Sequence, residues 1–248
     1  MNVAVPAQPP ADVADGLATT IASIEGLQLG EPAAADVLLA VDDAVLRAAV
    51  DSDDSRPLLR LAAIADETTA DRSTLLSRLA THAPTAVPTT SRRILSVTAA
   101  ATTTRAASDC AIVTTDPARI SEYRVVADGA TLTTFRADGV VVATPLGTAT
   151  YSRAAGGPRL AADTGLAVVP IAPFAMSADQ WVVRPPLTLQ VARDDDVGVF
   201  ADGCHVASGG GGLTASVTVA GTVTVVDQRR LGAGGRNWKN SNESSPHD

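Results

Sequence analysis

Residues 138–158 read DGVVVATPLGTATYSRAAGGP. An apolar run, Val140 to Ala143, stops at Thr144-Pro145 and gives way to a loop of small, hydroxylated residues with one tyrosine, then to Gly156-Gly157-Pro158. The run has the texture of a buried strand. The loop offers hydroxyls at Thr144, Thr148, Thr150 and Ser152, free backbone amides, and an aromatic face at Tyr151. Such hydroxyls can bond a purine edge or a ribose, and a tyrosine ring offers a stacking surface. The same residues also suit an ordinary Thr/Ser-rich turn capping a short helix.

Around this stretch the pattern is all β from residue 92 onward. EYRVVADGATLTTFRADGVVVATP (122–145) holds two Asp-Gly pairs, at 128–129 and 138–139, the first flanked by β-rich runs. Asp-Gly is a strong hairpin signal, because a type I′ turn needs positive φ at both central positions. LTLQVARDDDVGVFADGCHV (187–206) repeats the arrangement with turns at 194–196 and 202–203, and LTASVTVAGTVTVVDQ (213–228) reads as one more alternating hairpin.

Before residue 90 strand and helix alternate. MNVAV opens as a short strand, and ADVADGLATTIASI (11–24) places Val13, Leu17, Ile21 and Ile24 on one helical face. DVLLAV (36–41) is a continuous apolar strand, AVLRAAV (44–50) is helical, RPLLRLAAI (56–64) strand-like, and RSTLLSRLATHA (72–83) helical again. The expected fold is therefore two-domain α+β: a small Rossmann-like α/β layer over 1–90, then a β-rich, sandwich-like domain over 91–231. The tail 232–248 is polar and expected to be disordered.

Composition sets further bounds. The formal net charge is −8, which argues against a nucleic-acid partner, since phosphates demand a basic face. Lys239 is the only lysine, and Asp greatly outnumbers Glu. An acidic, lysine-poor surface stays hydrated where salt screens its self-repulsion, so a halophilic cytoplasm is the expected setting. Neither an 18-residue apolar run nor a secretory leader is seen, so no membrane partner and no export are expected. Cys110 and Cys204 stand apart without a CxxC spacing and read as buried free thiols.

The full pattern at 138–158 resembles the signature of NAD kinases: Asp-Gly, an apolar strand, Thr-Pro-Thr-Gly-Ser/Thr, then Ala-Tyr-Ser and, a few residues on, Gly-Gly-Pro. AASDCAIVT (106–114) occupies the place of that family's Ala-Leu-Asn-Glu/Asp strand, and VFADGCHV (199–206) that of its late Asp-Gly hairpin. DVLLAVDDAVLRAA (36–49) falls where the family writes an apolar strand, Gly-Gly-Asp-Gly-Thr and a helix. The resemblance spans about 36–206 and is strong in its second half.

It implies transfer of the γ-phosphoryl group of ATP, accompanied by Mg²⁺, to the 2′-hydroxyl of the adenosine ribose of NAD, giving NADP. Asp42 matches the general base, and a carboxylate within reach of that weak nucleophile accelerates transfer by about 10²–10⁴-fold. Asp43 would lie near the phosphates, and Thr144, Gly147, Thr148, Ala149, Tyr151 and Ser152 would hold the adenosine half. Ser108 and Asp109 stand for the Asn-Glu/Asp pair, the acid on a ribose hydroxyl or the nicotinamide end. No residue is assigned as a fixed metal ligand. The β-rich domains of the family pack against copies of themselves, so a homodimer or homotetramer through strands of 120–230 is expected.

One departure bears on the chemistry. Where the family has Gly-Gly-Asp-Gly-Thr, this chain has Ala40-Val41-Asp42-Asp43-Ala44. Glycines let a loop take positive φ and bring N–H groups to phosphates, whereas Val41 is β-branched. A second carboxylate at Asp43, about 5 Å from a phosphate charge, repels it by about 3 kcal/mol at an effective dielectric of about 20. Three readings stay open on sequence alone: a working NAD kinase, a relative that binds NAD(P) or another nucleotide as a sensor, and a lipid kinase of the diacylglycerol type.

Overall fold

The structure is a computed structural model, and it describes residues 1–7, 11–52, 54–61, 71–116, 119–148, 151–175, 178–193 and 196–232, without the side chains of residues 43 and 44. The expected tail therefore lies, from residue 233 on, outside the described residues.

The first part alternates strand and helix: β1 (Asn2–Ala4), α1 (Ala11–Ala22), β2 (Gln28–Leu29), β3 (Val37–Ala40), α2 (Asp43–Asp51), β4 (Leu58–Arg60) and α3 (Arg72–Ala80). β1 pairs in parallel with β2 and β3, and β3 with β4. Every residue of β3 is buried, as a parallel strand covered on both faces must be. On α1, Leu17 and Ile21 are buried, and Val13 and Ile24 pack against the same core. Asp42 and Asp71 cap α2 and α3, accepting from the backbone N–H groups of Val45 and Thr74.

The second part is β-rich: β5 (Thr89–Ala99), β6 (Thr102–Ala106), β7 (Asp109–Thr114), β8 (Ser121–Ala127), β9 (Ala130–Ala143), α4 (Tyr151–Ala154), β10 (Leu166–Pro173), β11 (Trp181–Val183), β12 (Leu187–Arg193), β13 (Val197–Ala201), β14 (Cys204–Gly209), β15 (Thr214–Val226) and α5 (Gln228–Leu231). Alternation does the sorting. In β8 the residues Ser121, Tyr123 and Val125 point inward, and in β12 Leu187, Leu189 and Val191 do the same. These strands wrap an apolar core that includes Leu95, Ile112, Tyr123, Val140, Val168, Leu189 and Val217, and a smaller buried cluster joins Ala111, Val141, Ala167 and Val169. The fold is thus a small α/β layer joined to a larger β domain.

Two Asp-Gly pairs turn as the sequence suggests. Asp128 and Gly129 join β8 to β9 with φ of 50° and 74°, and Asp202 and Gly203 join β13 to β14 with φ of 46° and 73°. Asp138-Gly139 instead lies inside β9, where a Cβ on Gly139 would come within 2.6 Å of the Ile112 carbonyl oxygen. Its glycine serves close strand approach rather than a turn.

The hairpin expected over 213–228 is not one. Both of its halves pair with β5, forming the single strand β15 with a register shift between Val219 and Gly221. A bulge bends such a strand without reversing it. Near its end, Val225 of β15 meets Leu58 of β4 in parallel, so one sheet runs through both parts. Of the two thiols, Cys110 is buried, but Cys204 is exposed at the start of β14. Among the described residues no helix is long and apolar enough to cross a membrane.

Candidate functional site

Three segments distant in sequence meet at the head of β7. The centre is Asp202, in the turn between β13 and β14. Its buried carboxylate accepts the backbone N–H of Ala107 at 2.7 Å, of Ser108 at 2.8 Å and of Asp109 at 3.0 Å. The Asp202 N–H in turn donates to the Asp109 carbonyl at 3.0 Å. Hydrogen bonds from N–H groups to an ionised oxygen are among the strong ones, so this loop is held from both sides.

The second segment is the turn after β9. Thr144 Oγ1 donates to the Ala107 carbonyl at 2.6 Å and accepts from the N–H groups of Leu146 and Gly147, each at 3.2 Å. The Thr144 N–H donates to the Ser108 carbonyl at 2.9 Å. Thr148 Oγ1 donates to the Pro145 carbonyl at 3.1 Å. Both threonines are buried, and their hydroxyls close the turn. Gly147 lies directly against Ser108, and Gly157 lies against Ser152, where a Cβ would stand 2.4 Å from Oγ. The hydroxyls of Ser108 and Ser152 are buried with no hydrogen-bond partner among the described residues, which is uncommon for such groups.

Tyr151 opens α4 and is 42% exposed. Partial burial, and then the charges of Asp109 and Asp138, push its phenol above the ordinary range. Asp109 is itself buried at the first position of β7. The next residue, Cys110, is buried throughout, and burial, followed by the charges of Asp109 and Asp202, pushes its thiol far up. Ala149 and the side chain of Asp43 lie outside the described residues.

Asp42 stands apart from this cluster, at the end of β3. Its φ of −152° is extended, and Oδ1 accepts from the Val45 N–H at 2.8 Å as the cap of α2. Neither Val41 nor Asp42 has positive φ, so the chain passes from strand to helix without a glycine-type cradle. Val41 is buried. No hydrogen bond or ion pair joins Asp42 to Ser108, Asp109 or Tyr151 among the described residues. The link is made by Arg47, one turn further along α2. Its guanidinium donates to the Ala201 carbonyl at 3.1 Å and to Thr104 Oγ1 at 2.7 Å, and Nε lies 3.7 Å from Asp51.

A second arginine also crosses between the parts. Arg60, buried at the end of β4, donates to the Leu146 carbonyl at 3.2 Å, while its own carbonyl accepts from Gln228 Nε2 at 2.7 Å. Asp202, Arg47 and Arg60 were not among the residues singled out from the sequence. Arg60 carries a visible signal, a charge inside the apolar run RPLLRLAAI; the Asp-Gly turn at 202–203 marks a hairpin but not the carboxylate's partners. Among the described residues no group of three or more His, Cys, Asp or Glu side chains gathers to hold a metal.

Residues 107–220, which contain the head of β7, the turn after β9 and Asp202, match the family described as ATP-NAD kinase C-terminal domain. An NAD kinase of Methanosarcina acetivorans is 37% identical over 91 residues, covering 36% of this chain and 33% of that protein. An NAD kinase of Acidobacterium capsulatum is 42% identical over 82 residues, covering 32% of this chain and 29% of that protein. The chain therefore spans about a third of the length of these relatives. In three dimensions it is similar to an Archaeoglobus fulgidus NAD kinase solved in complex with ATP, with a TM-score of 0.65 at 19% identity, over 93% of this chain and 95% of that one. A yeast NADH kinase complexed with NADH gives a TM-score of 0.69 at 14% identity, over 99% of this chain and 89% of that one. The chain has the fold of these kinases, and its residues 107–220 are similar to the ATP-NAD kinase C-terminal domain.

Proposed function

We propose that the chain phosphorylates the 2′-hydroxyl of the adenosine ribose of NAD with ATP, giving NADP. The observation that carries this reading is the cluster in which Asp202 fixes residues 107–109 and Thr144 ties the next turn to them, inside the segment matching the kinase family. Asp109 and Tyr151 border that cluster and would take the adenosine half, the tyrosine by stacking. The ATP and NADH held by the two similar structures support a triphosphate and a dinucleotide as the ligands.

In the transfer, the ribose oxygen forms a bond to the γ-phosphorus, the bond from that phosphorus to the bridging oxygen breaks, and ADP leaves. Asp42 would take the hydroxyl proton. Its Oδ1 is occupied by the cap bond to Val45, and Oδ2 has no partner among the described residues, which leaves an oxygen for general-base work. Mg²⁺ commonly binds through one or two carboxylates plus substrate phosphates; arriving on the ATP phosphates, it would neutralise their charge. Positioning supplies most of the remaining acceleration in phosphoryl transfer. The acidic, lysine-poor composition supports a salt-rich cytoplasm as the setting, and the apolar strands of 120–230 support a homodimer or homotetramer.

The test is purified protein at molar salt with NAD, ATP and Mg²⁺, with NADP formation followed enzymatically. NADP should accumulate. The glycine-free loop at 40–44 favours one competing reading, nucleotide binding without transfer. NAD binding without NADP formation from ATP or polyphosphate would establish that reading, and no binding of any adenine dinucleotide would end both.

A further inference from the structure

We infer that Arg47 is a positioning residue for phosphoryl transfer: through one shared peptide group it fixes the helix that Asp42 caps against the head of β7, where Asp109 sits. As a role in transfer this rests on the kinase reading; as a link between the two segments it does not.

The shared group is the peptide between Ala201 and Asp202. Its carbonyl accepts from Arg47 Nη1 at 3.1 Å, and its N–H donates to the Asp109 carbonyl at 3.0 Å. A peptide unit is planar and stiff, so its two bonded ends cannot reorient independently. Tilting the bond from Arg47 tilts the bond to Asp109. Hydrogen bonds in such a chain also polarise and strengthen one another. The Asp202 side chain closes the other side, where Oδ1 accepts the Asp109 N–H at 3.0 Å. Asp109 is thus held at both backbone groups by a residue whose own peptide is gripped from α2.

On α2 the helical period separates two kinds of contact. Val45, Leu46, Ala49 and Val50 are buried in the core of the α/β layer. Apolar burial is non-directional; it sets the depth of the helix but not its rotation or its advance along the axis. Arg47 and Asp51 lie one turn apart on the other side. The guanidinium turns each nitrogen to a different neighbour: Nη1 to Ala201, Nη2 to Thr104 Oγ1 at 2.7 Å, and Nε to Asp51 at 3.7 Å. A planar fork engaged in three directions has one orientation. At the far end of the helix, Arg105 of β6 donates to the Val50 carbonyl at 3.2 Å. Asp42 precedes Arg47 by five residues, about 7.5 Å along the axis. Its carboxylate is bonded to the Val45 N–H, so it moves with the helix it caps. A misplacement of about 1 Å can cost about 10²-fold in rate, and Arg47 is what opposes it.

Two variants test this. Arg47→Lys keeps the charge but not the planar fork, and Thr104→Val deletes one acceptor and leaves Arg47 in place. In the NADP assay kcat should fall about ten-fold or more for Arg47→Lys and by a smaller factor for Thr104→Val, while the calorimetric Kd for NAD stays within about two-fold. Amide hydrogen exchange, measured without ligand, reads the link itself: the Asp202 N–H should exchange faster in both variants, by about ten-fold in Arg47→Lys. Faster exchange in a protein whose wild type forms no NADP would remove the kinase reading and leave the link standing. Unchanged exchange at Asp202 in both variants overturns the link. An active enzyme whose kcat neither variant alters overturns the positioning role, and so does a loss shared equally between kcat and NAD affinity, the mark of a general loosening.

Discussion

Gly147 lies so close to Ser108 that a Cβ on the glycine would stand 2.1 Å from the serine's carbonyl oxygen. Both sides of this contact are backbone, so neither can swing away. Gly147→Ala should therefore force apart the turn after β9 and the head of β7, destabilising the fold by about 1–3 kcal/mol. Thermal unfolding checks the first effect and NAD calorimetry the second. An alanine variant with unchanged melting temperature and unchanged binding would show that the two segments move freely.

Asp202 should matter more to stability than any surface acid. Asp202→Ala leaves the N–H groups of Ala107, Ser108 and Asp109 without their acceptor. At about 1–3 kcal/mol for each buried donor left unmet, the expected loss in denaturant unfolding is about 3 kcal/mol or more. Asp202→Asn keeps one acceptor oxygen and should fall between.

Arg47→Ala removes the hydrogen bonds from α2 to Ala201 and Thr104. A stability loss of about 1–2 kcal/mol is expected. Because Asp42 caps the same helix, turnover in the NADP assay should drop by a larger factor than NAD affinity. Equal losses in kcat and affinity would show that Arg47 acts only by holding the fold together.

Alkaline pH should loosen the protein through Cys110. Burial holds its thiol protonated in the fold, well above the about 8.5 of an unfolded thiol. The raised folded value means the contribution is complete below about pH 8.5 and is lost as pH rises beyond it, by about 1.4 kcal/mol per unit. Tyr151, raised in the same direction, adds to the fall above about pH 10. Denaturant titrations of wild type and Cys110→Ala should diverge between pH 8.5 and 10, the variant staying flat.

Thiol reagents should separate the two cysteines. Cys204 is exposed and Cys110 has no accessible surface, so native protein should take up label at Cys204 alone, and Cys110 should react only after unfolding. Double labelling of folded protein would place Cys110 at the surface.

Local turn chemistry was legible in the sequence. Asp128-Gly129 and Asp202-Gly203 turn because both residues tolerate positive φ. Asp138-Gly139 has the same letters, but its environment is set by Ile112 on a neighbouring strand. The chain at 214–226 alternates like a hairpin, yet both halves find the same partner in β5; no short window contains that competition. The site divides in the same way. The segments 108–109 and 144–152 stood out from the sequence, and the structure brings Ser108 against Gly147. What fixes the backbone of 107–109, Asp202, acts across 93 to 95 residues.

The core beneath the α/β layer contains Ile94, Ala107, Val223, Val225, Val226 and Leu231 alongside the side chains of the first eighty residues. The layer is therefore not an autonomous module. Severed after α3, it would expose an apolar surface that the last strand normally covers, and it should collapse or aggregate instead of folding alone. Melting should show a single cooperative transition for both parts. For the same reason, the unit that recombination can exchange intact is the whole length through Leu231, not its first third.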